Sequence, residues 1–231
     1  MWNGFALVVG RPEVMKYPVL SSDAVDLLEN SGRLDPQASL DKDTRSLVES
    51  SAGLFGSRAA ALPTRVAFKA GPRSEYIRLV ERQLRSGKVA LMQKPKAVAS
   101  SFTVGKPGKS ILREIWNGSR ITEAAEPPPK PPWQANPSAL AELEATEDRP
   151  VWMFGRDARV FFDQLLAPDE IQPFLGRPFV TVAELLDGDE CFTLDELQSF
   201  VLDGPLGAST EELTPVSRVW PMGFGWNSFI D

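Results

Sequence analysis

Asp157 follows the apolar run Val151-Trp152-Met153-Phe154, and Phe162 lies five residues further on, beside Phe161. An aspartate at the exposed end of a rigid strand can hold a divalent cation. Two such cations align a terminal hydroxyl with an incoming phosphate and stabilise the displaced pyrophosphate. An aromatic ring beside the sugar of that nucleotide would clash with a ribose 2′-hydroxyl and so select deoxyribonucleotides. Two plainer readings stand beside these: aspartates after strands are commonly surface charges, and phenylalanines commonly fill cores. The chain has no histidine, which excludes His-based triads and His-ligated zinc. Chemistry here falls to carboxylates, lysines, arginines and hydroxyls.

The 231 residues suffice for one large domain or two small ones with a real core, and 20 prolines mark a chain rich in turns and linkers. No apolar run reaches the length of a membrane-spanning helix, so no membrane partner is expected. The opening "MWNGFALVVG" lacks a basic leader and does not read as a signal peptide. A single cysteine, Cys191, fits a reducing compartment, and an intracellular location, cytoplasmic or nuclear, is the expectation. The net charge of −6 hides an asymmetry: residues 65–120 hold thirteen basic and three acidic side chains, residues 121–231 six basic and twenty acidic. Such a pattern suits a nucleic-acid surface beside a metal-binding floor, or two halves that attract each other.

Residues 1–64 read as a loosely specified lead-in, partly flexible, with a short helix capped by Ser22-Asp23, running through Val25, Leu27 and Leu28 to Gly32. "SEYIRLVERQLRSG" predicts an amphipathic helix with Ser74 as N-cap, Ile77, Val80 and Leu84 on one face, and Gly87 as stop. Phe102 and Val104, then Ile111 and Ile115, flank the Lys106-Pro107-Gly108-Lys109 turn of a hairpin. "EPPPKPPW" is a stiff connector, and Asn136-Pro137 starts a short helix. Val151–Phe154 reads as a strand, Arg159 to Leu166 as a helix, and Pro168 and Gly176 bracket a further helical turn. Thr193 with Glu196 forms a capping box for a helix stopped by Gly204, and Val216–Trp220 reads as a strand.

The order of these pieces resembles the reverse transcriptases of retroelements. Their helix ending in Gly, Lys-x-x-Gly-x-x-Arg-like hairpin, first palm motif and Pro-x-Gly turn have counterparts in "RSGKVALM", "GKPGKSILREIWNGSRI", "RDARVFFDQLLAPDEIQPFLG" and "WPMGFGWNSF". The resemblance runs from about Glu75 onward. It implies an α+β fold, a partial fingers-and-palm polymerase arrangement with helices packed on a small antiparallel sheet. Residues 65–132 would be a fingers-like basic segment and 133–231 a partial palm. Asp157, with the carbonyl of Ala158, would hold catalytic Mg2+. Lys106, Lys109 and Arg113 would meet the incoming triphosphate, Phe162 would gate the sugar, and Pro221, Gly223 and Phe224 would shape the turn at the nucleotide. The implied partners are an RNA template, a DNA primer and dNTP, in template-directed nucleotidyl transfer. One element departs from the pattern: Asn117 stands where the family has an aspartate. Taken as a complete chain, Asp231 comes before the paired-aspartate hairpin, so the expectation is a remnant without polymerase activity of its own.

Each of these residues has a plainer role open to it: a solvated hairpin for the cations, a core position for Phe162, an ordinary strand-to-helix turn at 221–224. Trp116 and Trp226 could stack on bases, with core packing the simpler role. Two other functional classes remain. One is a non-enzymatic protein whose basic segment binds nucleic acid. The other is a calcium-binding, EF-hand-like loop ending at Glu196, with Asp187 and Asp189 as ligands; its first position, Leu185, and its sixth, Glu190, are wrong for such a loop.

Overall fold

The structure, a computed structural model, describes residues 19–106, 108–129, 146, 148–150, 152 and 159–226. It is an α+β architecture of short helices and two small antiparallel sheets. The helix expected from Asn136 lies outside the described residues. So do Asp157, Ala158 and, apart from Trp152, the strand expected at Val151–Phe154.

Residues 19–64 differ from the loose lead-in expected of them. Helix α1 (Lys42–Glu49) is started by Asp41, whose carboxylate accepts from the N–H groups of Asp43 and Thr44, and α2 (Ser51–Phe55) follows. Val48, Leu54 and Phe55 are fully buried, and Phe55 stacks on Phe174 with ring centroids 4.3 Å apart. The small and polar residues around them hid a sparse set of large apolar anchors. The helix expected from Ser22 to Gly32 is only a 3-10 turn, Ser22–Ala24. Val25 turns extended instead, and the Asp26 N–H donates to the Leu112 carbonyl, so a long-range bridge takes the backbone groups a helix would use.

Helix α3 (Arg73–Arg85) buries Ile77, Val80 and Leu84 as expected, starting two residues earlier, after Pro72. It ends in a Schellman motif: Gly87 at φ +71° lets its own N–H reach Leu84 and the Lys88 N–H reach Gln83. That turn swings Lys88 inward at the start of β1 (Val89–Met92). The hairpin forms as β2 (Ser101–Gly105) and β3 (Leu112–Trp116), with Val104 opposite Arg113. Its more deeply buried face is the unexpected one, carrying Leu112, Glu114 and Trp116.

A short helix α4 (Ser119–Ala124) leads away from the hairpin. The helix expected over 159–166 shrinks to a 3-10 turn, Phe161–Gln164, because Val160 sits in the left-handed region at φ 48°. Tertiary hydrogen bonds hold the chain there: Leu34 donates to Gln164, Leu166 to Leu34 and Trp220 to Leu165. The turn between Pro168 and Gly176 is present at Gln172–Phe174. Strand β4 (Val180–Thr181) runs into α5 (Val182–Leu186), and α6 (Leu194–Phe200) carries the Thr193–Glu196 capping box, ending at Phe200 ahead of Gly204.

Strand β5 spans Glu212–Ser217, four residues ahead of the stretch expected, and is central in the sheet order β1-β5-β4. Pro215 argues against a central strand in sequence terms. It is tolerated because β4 pairs only with Glu212 and Leu213, leaving the Pro215 carbonyl to the Arg177 N–H at 2.8 Å.

The "PMGFGW" turn packs against the end of β3. Gly223 has φ +113°, and a Cβ there would lie 2.0 Å from the Trp116 carbonyl oxygen. Gly223→Ala therefore combines a disfavoured backbone region with a backbone collision, and a loss of roughly 3 kcal/mol or more is expected in urea unfolding. A loss under about 1 kcal/mol would mean the turn can shift away from β3.

Candidate functional site

Three stretches far apart in the chain meet around one cavity of about 490 Å³. The hairpin supplies Lys106, Lys109 and Arg113, the 159–163 segment supplies Phe161 and Phe162, and the last turn supplies Pro221 and Met222. Trp116 ties the hairpin to the last turn and to Gly176. Its N–H donates to the Met222 carbonyl at 3.1 Å and its indole Nε1 to the Gly176 carbonyl at 2.9 Å. The expected cations, Phe162 and Pro221 are thus brought together. Gly223 and Phe224 are not on the cavity wall. Phe224 is buried, stacked on Trp220 at 5.7 Å and edge-on to Trp116 at 6.3 Å, so the turn is held by core packing. Trp116 and Trp226 are each 1% exposed, which makes both core residues rather than stacking platforms.

The floor of the cavity is ionic and buried. Glu114 Oε1 accepts from Arg177 Nε at 3.1 Å, Glu114 Oε2 accepts from Gln83 Nε2 at 2.6 Å, and Lys88 Nζ lies 3.4 Å from Glu114 and 2.9 Å from Asp163. Burial, the largest single influence, pushes the Glu114 carboxyl up. Arg177, Lys88 and the hydrogen bonds from Arg177 and Gln83 together outweigh it and hold the group at about 2. None of these four buried charges stood out in the sequence. The available signal was the alternation Leu112, Glu114, Trp116, which places a carboxylate on the same face as a large aromatic and so demands a buried partner.

The rim is different. Arg159 pairs with Asp26 at 2.5 Å, but Lys106, Lys109 and Arg113 make no ion pair with a described residue. Among the described residues, six cations and three carboxylates line the cavity, a surplus of three positive charges.

No protein-family model, curated protein or solved structure matches this chain.

Four further basic residues of 65–120 are paired with carboxylates. Arg73 forms a two-pronged pair with Glu184 (2.7 and 2.6 Å), Arg78 meets Asp189 at 2.6 Å, Arg85 meets Glu190 and Glu196, and Arg65 grips Glu212. At half-exposed sites such pairs stabilise little, about 0–1 kcal/mol each, but they neutralise the helix face. Two carboxylates of the calcium-binding reading are engaged elsewhere: Asp189 goes to Arg78, and Glu196 caps α6 through the Thr193 N–H. Among the described residues no cluster of three potential ligands could hold a metal ion. Glu114 and Asp163 are committed to Arg177 and Lys88 and do not fit a magnesium site. No described helix is long and apolar enough to cross a membrane.

Proposed function

We propose that the cavity receives the triphosphate of a deoxyribonucleoside, in a reverse-transcriptase-like domain of retroelement origin whose hairpin acts as fingers and whose 159–226 region belongs to a palm. One observation carries this. The hairpin cations, Phe162 and Pro221 belong to separate motifs more than a hundred residues apart at the extremes, and all of them line one cavity whose described residues carry a surplus of three positive charges. In this role Lys106, Lys109 and Arg113 neutralise the phosphates as they enter. Phe162, half-buried and edge-on to Phe161 at 5.8 Å, presents a fixed ring beside the sugar. RNA template and DNA primer would approach from the same open side. The alternative, nucleic-acid binding by the basic segment 65–120, has less support, because Arg73, Arg78 and Arg85 of that segment are paired with carboxylates of the acidic half.

Trp116 lines the cavity, so the tryptophan fluorescence of the chain is the readout for binding. The full chain titrated with dATP at low salt is expected to show a saturable change that weakens as salt rises. ATP should bind more weakly, and Phe162→Ala should narrow the gap between them. Equal affinity of the wild type for dATP and ATP removes the sugar-gate role, and no saturable binding of either removes the nucleotide site.

A further inference from the structure

Arg177 belongs to none of the motifs that drew attention to the cavity, yet it lines the cavity wall while being only 1% exposed. Its Nε is bound to Glu114, whereas its Nη1 has no hydrogen-bond partner. A guanidinium N–H left open in a buried setting carries a desolvation cost that a bound acceptor would remove. The backbone beneath it is held from three sides. The Arg177 N–H donates to Pro215, the Gly176 carbonyl accepts from the Trp116 indole, and a Cβ on Gly176 would come within 2.5 Å of the Ala97 carbonyl oxygen. Arg177 is therefore a fixed donor and not a side chain that happens to reach the cavity.

The charge balance points the same way. On the floor, Lys88 and Arg177 are matched by Glu114 and Asp163, so the floor is neutral and needs no ligand to fold. The surplus sits at Lys106, Lys109 and Arg113. A compact dianion would be satisfied by the rim alone. A longer polyanion that enters past the rim comes to the wall that Arg177 lines, where the buried Nη1 is a guanidinium donor without an acceptor and arginine is favoured over lysine for phosphate oxygens.

We propose that Arg177 is an anion-binding residue of this cavity, donating from Nη1 to a phosphate oxygen of a linear polyphosphate whose other phosphates are met by the hairpin cations. This rests on the cavity being a polyphosphate site, but not on base, sugar or metal. Inorganic tripolyphosphate is the probe, with dATP as a second arm to separate the nucleotide from its polyphosphate portion.

In calorimetric titration of the full chain, wild type is expected to bind tripolyphosphate. Arg177→Lys, which keeps the charge facing Glu114, should weaken binding roughly 10-fold or more, the scale of one lost charge-assisted hydrogen bond. Glu114→Gln/Arg177→Gln, a neutral pair that keeps a hydrogen bond, should do the same. A second readout needs no variant. Arg177 is the one buried arginine among the described residues, so its Nε–H signal in nitrogen-15 spectra exchanges slowly with water and is recognisable; tripolyphosphate should shift it. An unmoved signal, or binding by a folded variant within about twofold of wild type, overturns the role of Arg177 while leaving a polyphosphate site intact. Failure of wild type to bind either tripolyphosphate or dATP overturns the site itself.

Discussion

Glu114→Ala is expected to destabilise the protein by about 3–5 kcal/mol, the scale seen when one partner is removed from a buried charge network. The substitution leaves Arg177 and Lys88, 1% and 6% exposed, without their shared carboxylate, and it strips the Gln83 side-chain amide of its acceptor. Urea unfolding of wild type and variant measures it; a loss below about 1 kcal/mol would mean that water or Asp163 can replace Glu114 on the floor. The same carboxylate sets an acid limit. Its folded value of about 2 lies below the ordinary 4.5, so its contribution is fully present above about pH 4.5 and is lost as pH falls toward 2. A shift of that size corresponds to something on the order of 3 kcal/mol. Because Glu75, Glu184, Glu196 and Glu212 are also held below their usual range, the informative quantity is the difference between wild type and Glu114→Gln. The gap between their urea midpoints should close as the solution is acidified through that window. A gap that stays constant would show that Glu114 does not titrate there.

The second large effect is on binding and should leave the fold alone. Lys106→Ala/Lys109→Ala/Arg113→Ala removes three rim cations that make no ion pair with a described residue. At about 1.5 kcal/mol for each charged contact, the triple variant should bind dATP or tripolyphosphate roughly 1,000-fold more weakly. Its unfolding midpoint should barely move, since surface substitutions without partners stay within about 0.5 kcal/mol each. The single variants should each lose about 10-fold and should each flatten the salt dependence. Wild-type affinity in the folded triple variant would mean the ligand enters elsewhere. The two predictions separate floor from rim: Glu114 holds the structure, and the hairpin cations hold the anion.

Much of this architecture is legible residue by residue. The period of Ile77, Val80 and Leu84 with Gly87 behind them defines α3 and its end, because a helix face and a left-handed stop are local demands. The Gly-Pro turn with alternating apolar residues defines the hairpin. Thr193 and Glu196 define the start of α6, because a capping box is satisfied within four residues. What was not legible depends on partners distant in the chain. The 159–166 stretch has a helical composition, but its backbone groups are taken by Leu34 and Trp220. Pro215, which lacks an N–H, discourages a central strand until β4 proves too short to require a donor at that position. Residues 19–64 look sparse until Leu54 and Phe55 meet the core from the far side of the sequence.

The candidate site divides along the same line. The types and spacing of Lys106, Lys109, Arg113, Phe162 and Pro221 are enough to select them as residues that could serve one ligand, since each lies in a short pattern with its own chemistry. That they share a cavity follows only from the fold, through the Trp116 contacts that draw residues 116, 176 and 222 together. The floor of that cavity is wholly a product of tertiary structure. Gln83 and Lys88 at the end of α3, Glu114, Asp163 and Arg177 come from four separate stretches, and apart from Glu114 each looks like an ordinary surface polar residue in sequence. Ion pairing across low-dielectric space is a long-range interaction between side chains, and composition and periodicity record only what neighbours along the chain require.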